Sequence, residues 1–270
     1  MTPIRRSLLA VTLAAGGCNA ARGAPEAWNR VVLVELYTSQ GCSSCPPADA
    51  VVRDFPRRGL GRDKVVPLAF HVDYWDRLGW PDPFAAPANT RRQEWYAESG
   101  RLRPPGGDER ASGEITGLYT PQMIVNGQVH FTGGRRGVAE DEIRRAAARP
   151  PDADLTAALA PGGDLLAGTV RVAPRATLDR RGDWRLVVAL AAREAHTRVL
   201  HGENGGDTLV EAAIVRAMTD RIPLALAGGG RATREIRLQK PAGLAWSDVD
   251  VVAFVQDERT RAVAAVTTLR

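Results

Sequence analysis

Lysine is nearly absent from this chain. Among 270 residues it occurs only at Lys64 and Lys240, so the net charge of +5 and the pI near 9.5 rest on arginine. The arginines are spread among many Asp and Glu, and no basic stripe carries interleaved aromatics, which argues against a nucleic-acid partner. Cysteine is scarce as well, with three residues, Cys18, Cys42 and Cys45. That number excludes a disulfide-dense scaffold and a zinc knuckle built from two cysteine pairs. Long apolar runs are missing too. The stretch SLLAVTLAAGG, Ser7 to Gly17, has 11 residues, too few to span a bilayer, and no second stretch approaches that length. What is present is the balance of a folded protein, 44% hydrophobic and 25% charged, in a chain long enough for one large core or two ordinary ones.

The N-terminus carries an address. Arg5-Arg6 followed by the short apolar run has the form of an export signal over residues 1–24. Two endings are open. Ala14-Ala15-Gly16-Gly17-Cys18 resembles a lipoprotein signal, in which Cys18 is lipidated and becomes the mature N-terminus. Cleavage between Ala20 and Ala24 instead discards Cys18. Both leave Cys42 and Cys45 as the cysteines of the globular part, in an oxidising compartment outside the cytoplasm, periplasmic or lipid-anchored. The expected membrane contact is confined to the signal or that anchor.

Val31 to Tyr37 is an apolar, β-branched run of the kind buried on both faces of a parallel sheet. Pro46-Pro47 suits a first helical turn, continued by Ala48 to Phe55. Val65 to Val72 reads as a second buried strand. A helix is expected from the capping-box spacing at Thr90 to Gly100. Gln122–Val125 and Gln128–Phe131 flank Asn126-Gly127, a hairpin signal, and Glu140 to Ala148 reads as helix. Residues 101–117 read as an exposed loop. Pro150-Pro151 marks a change of style. Short strands follow at Leu165–Val172, Trp184–Ala192, Thr208–Met218, Ala232–Leu238, Val249–Asp257 and Ala262–Leu269. The expected organisation is an α/β domain over 28–150 and a smaller antiparallel β-sandwich-like domain over 151–270.

Cys42-Ser43-Ser44-Cys45 lies where the first strand enters the first helix. A helix N-terminus offers free N–H groups and a positive partial charge, both of which favour a thiolate at Cys42. Cys45 is placed to resolve a mixed disulfide. Tyr119-Thr120-Pro121-Gln122 brings a proline ahead of a strand, a position open to a cis bond beside the cysteines. His71 and Asp73 alternate onto one face at the end of the second strand, for proton shuttling or as core and turn residues. Tyr74, Trp75, Trp80 and Phe84 suit either a groove or packing. Gly202-Glu203-Asn204-Gly205 reads as a turn.

This layout resembles thioredoxin, whose cis-proline faces its C-x-x-C in the same chain order. ELYTSQGCSSCPPAD, FHVDYWDRLGW, TRRQEWY, YTPQMIVNG, HGENGGDTLVEAAIVRA and FVQDERTRAV are similar to the exported thioredoxin-like domain-of-unknown-function family 1223, over roughly residues 30 to 260. The resemblance implies an α/β thioredoxin-like domain with Cys42 as nucleophile, Cys45 as resolving thiol and Pro121 as cis-proline. It also implies that Thr120 presents backbone to a client, and it offers Glu35 as proton acceptor. Gly41 stands where thioredoxin has Trp, and Ser43-Ser44 where it has Gly-Pro, so no redox potential carries over.

Three functions fit these residues. One is a thiol–disulfide oxidoreductase acting on a protein or small thiol client, without a cofactor. Another is a Cu(I) or Zn(II) module using Cys42, Cys45 and His71. The third is an envelope binding protein in which Cys42–Cys45 is an inert disulfide.

Overall fold

The computed structural model describes residues 28–106 and 117–269. The expected export signal over residues 1–24, Cys18 and most of the 101–117 loop lie outside the described residues. In the first half, β1 (Val32–Thr38), α1 (Pro46–Asp54), β2 (Val65–His71), α2 (Pro87–Ala97), β3 (Gln122–Val125), β4 (Val129–Thr132) and α3 (Arg136–Ala147) follow in order. Then come β5 (Ala153–Gly162), β6 (Leu165–Pro174), β7 (Trp184–Arg198), β8 (Thr208–Met218), β9 (Ile222–Pro223), β10 (Ala232–Gln239), β11 (Val249–Asp257) and β12 (Val263–Leu269). No described helix is long and apolar enough to cross a membrane.

All seven residues of β1 are buried because helices cover both of its faces. Val32, Val34 and Leu36 pack against α1 and α3. Leu33 and Tyr37 point the other way, toward Tyr96 of α2. β1 pairs in parallel with β2, from Val32↔Val65 to Thr38↔His71, and antiparallel with β3. Asn126 and Gly127 close the β3–β4 hairpin with φ of 47° and 68°, as the Asn-Gly signal requires. α1 begins at Pro46 as its signal indicates, whereas α2 and α3 begin earlier than theirs. α2 starts at Pro87, a favourable first-turn residue, and Thr90 spends its hydroxyl on Asp73 rather than on a cap.

The change of style at residue 150 does not interrupt the sheet. β8 joins β2 in parallel at Ala69↔Ile214, and the strand order runs β12-β11-β7-β8-β2-β1-β3-β4, with β9 on β7. Among the described residues this makes one nine-stranded sheet. A second sheet, β10-β6-β5, lies over β7, β11 and β12 on a core that includes Val170, Val172, Leu186, Val188, Val251 and Val255. β5 was not among the expected strands; Ala153, Leu155, Ala157 and Leu159 turn toward the core while Asp154, Thr156 and Ala158 are open. The long sheet curls until its ends meet. The Val263 N–H donates to the Asn126 carbonyl at 3.2 Å, and Gln128 Nε2 to the Thr260 carbonyl at 2.7 Å.

Candidate functional site

The end of β1 turns through Ser39-Gln40-Gly41 into the cysteines, which form a disulfide with Cα atoms 5.4 Å apart. Gly41 sits in close approach: a Cβ there would stand 3.2 Å from Trp75 Cβ, tighter than ordinary van der Waals contact. Trp75 Nε1 donates to Thr120 Oγ1 at 2.8 Å, and that hydroxyl donates to Cys42 Sγ at 3.3 Å. The Thr120–Pro121 bond is cis. Ser44 Oγ also lies 3.3 Å from Cys42 Sγ. Both cysteines are 0% exposed, so neither sulfur lies open to solvent in this state.

The helix start offers fewer donors than the sequence suggests. Pro46 and Pro47 occupy the first two helical positions and carry no N–H. The Cys45 N–H is used by the Cys42 carbonyl at 3.1 Å. The Ser43 N–H is taken at 2.9 Å by Glu203 Oε2, from the turn between β7 and β8. In the same turn Asn204 Nδ2 donates to the carbonyls of Gln40 (2.8 Å) and Cys42 (3.0 Å). The Gly202–Gly205 turn is therefore a clamp on the cysteine loop.

Behind the loop lies a buried polar cluster. His71, on the α1 side of β2, holds Asp82 Oδ2 through Nδ1 at 2.7 Å. Its Nε2 stands 3.8 Å from Glu211 Oε1 of β8, and neither of these two atoms has a hydrogen-bond partner. Gln40 Nε2 donates to the other Glu211 oxygen at 2.6 Å, and the Gln40 N–H to Asp82 at 2.8 Å. Thr38 Oγ1 donates to Asp49 Oδ2 at 3.2 Å. Burial raises Asp49 to about 7, against the opposing charge of His71. Burial pulls His71 down, but the Asp82 bond and the charges of Asp82, Glu211 and Asp49 outweigh it and bring it to about 9. Glu211 is raised by burial. Burial also pushes Asp82 upward, yet its bond and attraction to His71 leave it below the usual carboxylate value. The imidazole is thus a cation at neutral pH. A cavity of about 230 Å³, lined by Pro46, Asp49, Arg53 and Thr208 to Glu211, reaches the two raised acids. A larger one, about 420 Å³, opens between α3 and the start of β12 and touches neither cysteine.

Of the residues singled out from sequence, Cys42, Cys45, Thr120 and Pro121 come together, with His71 in the cluster behind them. Glu35 does not join them. Val34 and Leu36 face α1, so strand alternation turns Glu35 to the α2 face, where Arg92 Nε (2.6 Å) and the Tyr96 hydroxyl take its two oxygens. Asp73 is held by Thr90 at 2.5 Å. The neighbouring aromatics are each engaged. Tyr74 bonds Gln93 at 3.2 Å, Trp80 donates to Gln40 at 3.0 Å, and Phe84 meets the His71 ring edge-on. His71 directs its two nitrogens at carboxylates, and no described group of three or more His, Cys, Asp or Glu has the arrangement of a metal site.

Asp49, Asp82, Glu211, Glu203 and Asn204 were not singled out as site residues. Asp49 had a local signal, since it follows Cys45 by one helical turn and shares its face. The others reach the loop through tertiary contacts.

A family model described as "Protein of unknown function (DUF1223)" matches residues 33–256. A structural-genomics crystal structure from Agrobacterium tumefaciens is 25% identical, with a TM-score of 0.63 over 89% of this chain and 95% of that one. HBP35 of Porphyromonas gingivalis is 15% identical, with a TM-score of 0.63 over 91% of this chain and 76% of that one, a likeness of fold. No curated protein matches the chain.

Proposed function

The chain belongs to the DUF1223 family, and from that premise we propose, on the chemistry of its own residues, that it is an exported thiol–disulfide oxidoreductase with a thioredoxin-like site. The observation that carries this reading is the Cys42–Cys45 bond at the start of α1, set between the Thr120 hydroxyl and a buried store of titratable groups. In the reduced protein, the Cys42 thiolate attacks a client disulfide, forming a mixed disulfide and releasing one client thiolate. Cys45 then gives up its proton and attacks Cys42 Sγ, which restores the internal bond and frees the second client thiolate. Asp49, one turn beyond Cys45 and open to the 230 Å³ cavity, accepts that proton. Thr120, with Pro121, offers the client its backbone.

Complete burial of both sulfurs favours a second reading, an inert disulfide in an envelope binding protein. One experiment decides between them. The folded protein is incubated with a mild dithiol and then with an insulin-type disulfide client, beside Cys42→Ser. The oxidoreductase reading expects reduction without unfolding, and exchange reduced at least about 100-fold in the variant. A bond that survives the dithiol in the folded state, or equal exchange by both proteins, sinks it.

A further inference from the structure

We propose that Glu203 biases the Cys42–Cys45 pair toward its disulfide, by placing a carboxylate on the N–H that a Cys42 thiolate would otherwise use. The inference rests on the oxidoreductase reading and assigns the C-terminal half a role in it: it biases the pair toward donating electrons.

A thiolate at a helix start is stabilised by free N–H groups and by the helix dipole. Around Cys42 several of those donors are absent or already engaged. Pro46 and Pro47 have none, the Cys45 N–H serves the Cys42 carbonyl, and those of Ala48 and Asp49 serve the Cys45 carbonyl at 2.8 and 3.2 Å. The Ser43 N–H, directly after Cys42 in the chain, is occupied by Glu203 Oε2 at 2.9 Å. Bonding to Ser43 holds the Glu203 carboxyl below its ordinary range, so a full negative charge sits one residue from the sulfur at neutral pH. Asn204 fixes this arrangement through the carbonyls of Gln40 and Cys42.

The other charged groups near the loop lie on its inner side. They include Asp82 on the Gln40 N–H, Glu211 on the Gln40 side chain, Asp49 on Thr38 and His71 among them, with Arg53 beside Asp49 at the 230 Å³ cavity. A change at Glu203, which is exposed on the outer side, leaves them in place. Its effect is a like charge acting on a developing thiolate, modest in size and, because Glu203 is exposed, screened by salt.

The step affected is reduction of the pair by a small thiol. Two glutathione thiols and the Cys42–Cys45 bond give one glutathione disulfide, a Cys45 thiol, a Cys42 thiolate and one proton released to buffer. A carboxylate beside Cys42 disfavours that product. The protein is then harder to reduce and, once reduced, a better electron donor.

Glu203→Gln tests this because the amide oxygen still accepts from Ser43 while the charge is gone. In glutathione buffers at low salt, the equilibrium constant for reduction is expected to rise about three- to tenfold over wild type. Thiolate absorbance followed across pH should show the acid dissociation constant of Cys42 rising by a similar factor, about three- to tenfold, and both differences should shrink in roughly 1 M salt. Equal equilibria and equal dissociation constants in wild type and Glu203→Gln overturn the proposal. So does a change seen in Glu203→Ala but not in Glu203→Gln, since the carboxylate charge then plays no part. Failure of the oxidoreductase reading looks different: a bond that no glutathione ratio reduces in wild type or either variant, which overturns both.

Discussion

His71 is a buried cation with three carboxyl groups around it, and its protonation couples the site to stability. Its folded value of about 9 lies above the ordinary 6.5, so its contribution is fully present below about 6.5 and is lost as the pH rises through 9. Asp49 behaves alike at lower pH, since its value rises from 3.8 to about 7. Both groups make the folded protein less stable as the pH climbs, Asp49 between about 4 and 7 and His71 between about 6.5 and 9. Urea unfolding at pH 6, 7.5 and 9 is expected to lose stability on the order of 1 to 3 kcal/mol for wild type over that range. In His71→Gln the profile should be flatter above pH 6.5; an unchanged slope would mean that His71 is neutral in the fold. At this scale the sequence located His71 and the cysteines by type and spacing. Glu35, which the resemblance offered as proton acceptor, lies on the α2 face, because a one-residue step along a strand moves a side chain to the opposite face.

At the scale of elements, the β3–β4 hairpin is the place where the curled sheet meets itself. Gly127 has φ 68°, and a Cβ there would lie 2.0 Å from the Arg261 carbonyl oxygen, a backbone atom that cannot rotate away. Asn126 is committed as well, since its Oδ1 accepts the Leu33 N–H at 2.9 Å. Gly127→Ala therefore combines a disfavoured backbone angle with a clash against the β11–β12 turn. The expected loss is about 2 to 4 kcal/mol, read as a lower urea midpoint with an unchanged slope. A loss below about 1 kcal/mol would show that the two turns part easily. The hairpin itself was legible, because Asn-Gly between apolar runs fixes a local conformation. Its second partner was not, because the Arg261 carbonyl is brought there only by the path of the whole sheet.

At the scale of the molecule, both halves of the chain build one sheet and one site. Glu211, Glu203 and Asn204 reach the cysteine loop across sequence separations of 171, 160 and 164 residues. The described residues are therefore expected to unfold as a unit, with tryptophan fluorescence and far-ultraviolet circular dichroism tracing one coincident urea transition. Two separated transitions would show that the halves are independent domains. Composition, the cysteine spacing, the Pro46-Pro47 helix start, the two buried strands and most later strands were determined by sequence alone, since each depends on residues within a few positions of one another. The joining of β8 to β2, the burial of both sulfurs and the acids around His71 were decided by tertiary structure. So was the carboxylate on the Ser43 N–H. These depend on which distant surfaces pack together, and no local periodicity encodes that.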